Sequence, residues 1–330
     1  MGGRASVTVS QHKSALHKQV MHQDLFFVVF LICCFGLGCC SSGDRSHWFQ
    51  SCLANCVENN CTNTEGPARG LIWTCSDDCK YECMWSTVET FVDNGMGVPQ
   101  FYGKWPFVQW LGLQEPASAI FSILNLLGHV LMLRRFTSLV PRHAPLFWLW
   151  ITYSLVCINA WLWSTVFHAK DTDLTEKLDY FCAFSMVLFS FYSACIRFFG
   201  PQLSWPTVTI TLLCLGFMIY HIFYLSLVMF DYGYNMRANI LVGAVNVTAW
   251  LAWCHQQRER AAHVWKCAAT VVLVSVSVLL ETADFPPLAW TLDAHALWHL
   301  STCPLPLLWY SFLIDDCLYQ LSQKKLQKSV

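Results

Sequence analysis

From Ala117 onward the sequence is dominated by apolar stretches long enough to cross a lipid bilayer. Seven can be counted, at approximately 117–134, 145–168, 179–199, 206–229, 238–254, 266–281 and 292–313. A hydrocarbon layer about 30 Å thick is crossed by about 20 helical residues. Lipid offers backbone amides no partner, so an apolar run of this length must satisfy its own hydrogen bonds as a helix. The connections are brief and leave no room for a second soluble domain. Composition agrees: 55% of residues are hydrophobic and only 12% charged, against about 25% charged in soluble domains. So few ionic groups cannot clothe a water-facing surface. This excludes a disordered chain, a coiled coil and an ordinary cytosolic enzyme. A net charge of −1 gives no reason to expect a nucleic-acid partner. The expected fold is an all-α polytopic membrane protein: a seven-transmembrane helix bundle with a small N-terminal disulfide-rich segment.

Residues 1–42 read as a secretory signal peptide. Arg4, Lys13 and Lys18 precede an apolar stretch from Leu25 to Gly38, and Cys39-Cys40-Ser41-Ser42-Gly43 are small. A retained signal anchor is the alternative, and either one delivers the next segment to the lumen. Met1-Gly2-Gly3-Arg4-Ala5-Ser6 also fits a myristoylation pattern, but a chain engaged by the secretory machinery does not meet the cytosolic transferase. Residues 43–115 hold six cysteines: Cys52, Cys56, Cys61, Cys75, Cys79 and Cys83. An even number behind a signal peptide reads as three disulfides, with the pairing left open. The four-residue spacings predict two short helices stapled together, and the CxxC spacing of a zinc ribbon is absent. Asn60-Cys61-Thr62 is a glycosylation sequon. Asn246-Val247-Thr248 has the same form but lies in an apolar run, where it is expected to be unmodified.

Charge sets the direction of the bundle, residues 116–314. With 43–115 luminal, the cytosolic loops carry Arg134, Arg135 and Arg142, then Arg197, then Arg258, Arg260 and Lys266. The tail, 315–330, carries Lys324, Lys325 and Lys328 and is expected in the cytosol. The luminal connections are acidic instead, with Asp171, Asp173, Glu176, Asp179, Asp231, Glu281, Asp284 and Asp293 against Lys170, Lys177 and Arg237. This satisfies the positive-inside rule.

Ionisable side chains at membrane depth are expensive, so each is a functional candidate. The second run ends with Ser164 and His168, four apart and on one helix face. Asp179 opens the third. His295 and His299, again four apart, begin the seventh. All five fall at the luminal end. Three neutral imidazoles suit zinc, which in catalytic sites keeps three protein ligands and an open position. Zinc activates water and polarises a carbonyl. Asp179 could orient a histidine or take a proton, and Ser164 could donate to an oxyanion. His129 and His221 within spans, and His143, His255 and His263 in cytosolic loops, have no such partners and read as structural.

Ser164-x-x-x-His168, Asp179 and His295-x-x-x-His299 resemble the pattern of the CREST membrane hydrolases, which include the alkaline ceramidases and the adiponectin-receptor group. More closely, the chain resembles the Per-like family of GPI-specific phospholipases A2. The similar stretches run from Cys75-Ser76-Asp77-Asp78-Cys79 to Trp85, from Val98-Pro99-Gln100-Phe101-Tyr102-Gly103-Lys104 to Phe107, and from Asn159 to His168. Others are Asp171 to Lys177, Phe230-Asp231-Tyr232-Gly233-Tyr234-Asn235 and Asp284-Phe285-Pro286-Pro287. The likeness covers about residues 50–318 and leaves out the leader. It implies a multi-pass Golgi enzyme of GPI-anchor fatty acid remodelling. Such an enzyme removes the unsaturated sn-2 acyl chain from the phosphatidylinositol of a GPI-anchored protein, by attack of zinc-activated water. It also implies His168, His295 and His299 as zinc ligands, with Ser164 and Asp179 completing the site. The rivals are a ceramidase-like amide hydrolase and a non-enzymatic receptor or chaperone with a structural zinc. The cysteine segment is expected to cap the bundle, with glycan sensing as the alternative.

Overall fold

A computed structural model describes residues 41–61, 73–200, 202 and 204–329. The expected signal peptide, apart from its last two residues, lies outside them. Helix α1 (His47–Asn60) begins where the Ser46 hydroxyl accepts the Phe49 N–H. Helix α2 (Cys75–Asp93) opens with a capping box: Thr74 accepts from the Asp77 N–H, and the Asp77 carboxylate accepts from the Thr74 N–H. The cysteines pair Cys52–Cys83, Cys56–Cys79 and Cys61–Cys75. Advancing along α1 thus means retreating along α2, so the two helices are antiparallel and stapled at three levels. The expected two-helix unit is present. Its sequence separations of 31, 23 and 14 residues each restrict the unfolded chain by about 3–4 kcal/mol in the loop-entropy account. A small core of Phe49, Val88 and Phe101 fills in around Cys83.

The bundle that follows is built of helices, with no strand among the described residues. Helix α3 (Pro116–Leu139) takes Pro116 at its first turn, where a missing N–H does no harm. Helix α4 spans Phe147–Ala169. Helix α5 (Asp173–Phe199) starts earlier than the apolar run does. Thr172 and Thr175 form a reciprocal cap and Asp173 and Glu176 sit in the first turn, where the helix dipole favours acids. Asp179 therefore lies inside α5 rather than at its opening. Helix α6 (Trp205–Phe223) continues through a π turn at Tyr224–Val228. Helices α7 (Tyr232–Gln257) and α8 (Val264–Glu281) follow. The seventh run is not one helix. Pro304 cannot donate to a continuing ladder, and the chain breaks there into α9 (Ala294–Thr302), capped by Asp293, and α10 (Leu305–Ser329).

Among the described residues five helices are long and apolar enough to cross a membrane: α3, α4, α5, α6 with its π turn, and α8. The chain is a multi-pass helical membrane protein. The fifth run lies in α7, whose first turns carry Asn235, Arg237 and Asn239, and the seventh is split.

In space α3 packs on α4, α4 on α5, α5 on α7, α7 on α8, and α8 on α9 and α10, which return to α3 and close a ring. Helix α6 leans on α5 from outside and shows Leu212, Leu213, Leu215 and Ile219 to the surroundings. One end of the ring is filled by aromatic rings, Phe136, Trp150, Trp250, Trp309 and Phe312 among them. At the other end α3 begins, α4 ends, α5 begins, α8 ends and α9 begins. The disulfide unit docks there. The Glu115 N–H donates to His168 O (3.0 Å), the Val108 N–H to Trp290 O (2.9 Å), and Lys170 pairs with Asp77 (2.9 Å). Trp105 Nε1 and Gln100 Nε2 both donate to Asp284, and Trp85 meets Trp290 edge-on.

Candidate metal centre

His168 comes from the last turn of α4, and His295 and His299 from successive turns of α9. One ring nitrogen of each lies within 4.8 Å of the other two. His295 Nε2 is 3.3 Å from His168 Nε2 and 2.8 Å from His299 Nε2. The three residues read from sequence as ligands therefore meet, although 127 positions separate His168 from His295.

What holds the rings is as informative as the rings. His168 Nδ1 is 2.7 Å from Glu115 Oε2, His295 Nδ1 is 2.6 Å from Glu281 Oε2, and His299 Nδ1 is 3.1 Å from Ser122 Oγ. A carboxylate only accepts, so His168 and His295 donate Nδ1–H. The single proton of Ser122 goes to Ser118 O (2.7 Å), so Ser122 accepts from His299 Nδ1–H. With the rings neutral, all three Nε2 atoms carry lone pairs that face one another. Three such lone pairs repel unless a proton or a metal ion lies between them. Ligating histidines show this pattern, with the outer nitrogen given to an acceptor and the inner one to the metal. Tetrahedral zinc with ligands at about 2.0–2.1 Å sets nitrogens about 3.3 Å apart. The His168–His295 spacing meets this, and the His295–His299 spacing is shorter. The donor set fits zinc.

His168 and His299 are each 2% exposed, whereas the His295 side chain is 34% exposed. The centre is closed on the α3–α4 side and open beside α8. Trp161 packs on His299 and Trp298 on His295, walling the rings with apolar surface. Glu115 also pairs with Lys104 (2.6 Å), which reaches Asp171 (3.0 Å). Burial works against the Glu115 carboxylate, but Lys104 and His168 outweigh it and hold the group far below the usual carboxylate range. Burial likewise disfavours the Lys104 ammonium, and Glu115 and Asp171 overcome that and raise it.

Ser164 lies beside the cluster, its Oγ 3.1 Å from Ser122 Oγ. With the Ser122 proton committed to Ser118, Ser164 is the donor in that pair. Asp179 lies within electrostatic reach of His295, Lys104, Glu115 and Glu281. Among the described residues it makes no hydrogen bond to the three imidazoles. Asn60 is exposed at the end of α1. Four of the five histidines read as structural find other partners: His129 meets Tyr310, His221 stacks on Phe184, His255 meets Arg258 and His263 meets Asp316.

Glu115, Glu281 and Ser122 were not legible as site residues. The two glutamates border the first and sixth apolar runs at the end where the histidines gather, and that coincidence is the only signal the sequence offered.

The model of the Per1-like family matches residues 67–317. The chain belongs to the Per1-like family. The chain is 47% identical over 294 residues to the GPI-specific phospholipase A2-like PGAP3 of Homo sapiens, covering 86% of this chain and 92% of that one. The Danio rerio protein of the same name is 48% identical over 297 residues, covering 86% and 93%. The Drosophila melanogaster post-GPI attachment to proteins factor 3 is 39% identical over 293 residues, covering 84% and 90%. The Per1-like match begins after α1, takes in α2 to α9 and ends within α10.

Proposed function

We propose that the chain remodels GPI anchors, hydrolysing the sn-2 acyl ester of the phosphatidylinositol on GPI-anchored proteins and leaving a lyso form. The observation that carries this reading is the convergence of three Nε2 lone pairs, each fixed from behind by an acceptor. The names of the relatives supply the substrate class. His168, His295 and His299 would hold the zinc. Bound there, the ion supplies Lewis acidity, polarising a carbonyl and making water a competent nucleophile near neutral pH.

The chain's own groups do the rest. Glu115, Glu281 and Ser122 keep each ring turned so that its free lone pair faces inward. Asp179, within electrostatic reach of His295, is the group we assign to take the proton from attacking water. The Ser164 hydroxyl, now given to Ser122, is assigned to turn toward the developing oxyanion. The indoles of Trp161 and Trp298 keep bulk water from the back of the rings.

We further propose that α7 and the α9–α10 pair also cross, giving seven spans. The disulfide unit and the histidine end then lie in the Golgi lumen and the end of α10 in the cytosol. An acyl ester sits just beneath the headgroup plane, so a site at the helix ends meets it while the acyl chains stay in lipid.

The test is purification, metal analysis and an sn-2 release assay on a GPI lipid, with ceramide as a second substrate. Stoichiometric zinc with release of the sn-2 acid supports the reading. Zinc with ceramide cleavage alone would replace it with the amidase, and zinc without turnover of either would leave a structural metal.

A further inference from the structure

The disulfide unit reaches into the metal centre through one side chain. Phe101 and Lys104 exchange backbone hydrogen bonds of 2.7 and 2.9 Å across a tight turn. Tyr102 and Gly103 between them have φ of 51° and 83°, the positive values that such a turn demands of both central residues. One end of the turn is anchored, because Phe101 is buried against Phe49, Cys83 and Val88 in the disulfide core. The other end presents Lys104. Its Nζ lies 2.6 Å from Glu115 Oε1 and 3.0 Å from Asp171 Oδ2, and 4.0 Å from the centre of the Phe167 ring. The second oxygen of Glu115 accepts from His168. Disulfide core, turn, Lys104, Glu115 and His168 form one unbroken chain.

We propose that Lys104 is a positioning residue of the three-histidine centre, so that the disulfide unit completes the metal site rather than only covering it. The proposal rests on the metal reading given above. Glu115 is 5% exposed, so no water replaces a lost partner easily. Without the ammonium, its carboxylate keeps His168 but loses the contact that fixes its plane. The His168 ring, the sole ligand from α4, then loses its orientation relative to His295 and His299. A charged hydrogen bond between well-placed partners is both strong and directional, and Lys104 supplies two of them from outside the bundle. Lys170 offers a matched comparison. It pins the same unit to the end of α4 through Asp77 at 2.9 Å, but that bond leads away from Glu115.

The experiment uses the full chain in detergent or nanodiscs. Zinc affinity is read by chelator competition, the ligand set by the visible spectrum of the cobalt-loaded protein, and folding by thermal unfolding of the metal-free form. Outer partners of metal ligands are worth about 10–100-fold in affinity, and Lys104 stands one bond further out. Lys104→Met is therefore expected to weaken zinc binding by about 10-fold and to alter the cobalt spectrum. Lys104→Arg retains most of the affinity, and Lys170→Met stays close to wild type. Equal affinity for Lys104→Met and wild type overturns the proposal, as does equal weakening by Lys170→Met, which would reduce the effect to general docking. Should Lys104→Met not fold, Asp171→Asn decides: a smaller but measurable loss of affinity supports the chain, and none overturns it. A wild-type protein that binds no zinc brings down the metal reading itself, a result recognised because it precedes any variant.

Discussion

The two ends of the bundle are both rich in charge and histidine, yet they are built to opposite rules. At the end away from the disulfide unit, Asp316 is fully buried and receives Arg197 through Nε and Nη2 at 2.8 Å each. It also receives His263 Nε2 at 3.2 Å and Gln320 Nε2 at 2.7 Å. Nearby, Lys266 meets Asp315 and Ser311. The charged groups there are matched donor to acceptor, and what is left over, the indole N–H groups of Trp150, Trp250 and Trp309, offers no lone pair to a cation. At the histidine end the outer nitrogens are matched in the same way, but the neutral rings leave three inner lone pairs converging. Density of polar groups does not mark a metal site; a converging set of unmatched acceptors does. Cys61, Cys75 and Cys79 also lie within ligand distance of one another, but their sulfurs are spent in disulfides.

The strongest way to break this contrast is to remove a converging imidazole. His295→Ala or His299→Ala is expected to abolish acyl release, by on the order of 10³-fold or more, since metal polarisation supplies several kcal/mol. Bound zinc is lost, while the metal-free protein keeps its thermal stability and its compartment. Normal anchor acyl composition in cells carrying only such a variant would end the metal mechanism. Asp316→Ala is the converse. Removing one partner of a buried pair costs about 3–5 kcal/mol, because Arg197 is left against Trp253 (4.6 Å) without a counter-charge. The unfolding temperature is expected to fall, with zinc per folded molecule unchanged. Loss of zinc with stability intact would mean the two ends are not independent.

The glutamates sharpen the contrast further. Glu115→Gln and Glu281→Gln keep the size but lose an obligate acceptor, and zinc affinity is expected to fall about 10–100-fold. Glu115→Gln belongs at the upper end, because it is the more buried and also anchors Lys104. Glu281, whose side chain is 19% exposed, belongs at the lower end, where water can stand in. Chelator competition gives the order, and a reversed order would place the critical support on α8 instead of α3.

How much of this the sequence held depends on what each feature requires. His168, His295 and His299 could be read because helical spacing and the direction of the spans together put them at one depth. The stapled pair of helices could be read from cysteine spacing, but the pairing could not, since many pairings satisfy the same spacing. The break at Pro304 was legible in principle, yet an apolar run hides it because hydropathy ignores the missing N–H. Glu115 and Glu281 were invisible as partners because an acid at a membrane boundary is ordinary in composition, and only the fold shows which ring it faces. Ser122 is harder still. A serine within a span bonds its own helix by default, as this one does to Ser118, and its second role depends on α9 crossing beside it.

The smallest effect expected is that of Ser164→Ala, and it separates support from chemistry. Ser164 is one hydroxyl removed from the cluster: it donates to Ser122, which already holds His299 and Ser118. Deleting it leaves both of those bonds in place. Zinc affinity is therefore expected to stay near wild type, while turnover falls about 10-fold, below the 10²–10³-fold typical of a preformed oxyanion donor, because this hydroxyl must first leave Ser122. Ser122→Ala should do the reverse, weakening zinc through His299 before it touches the rate. If Ser164→Ala instead strips the metal, the Ser164–Ser122 pair is part of the ligand frame, and the oxyanion donor must be sought among other groups on the open side of His295.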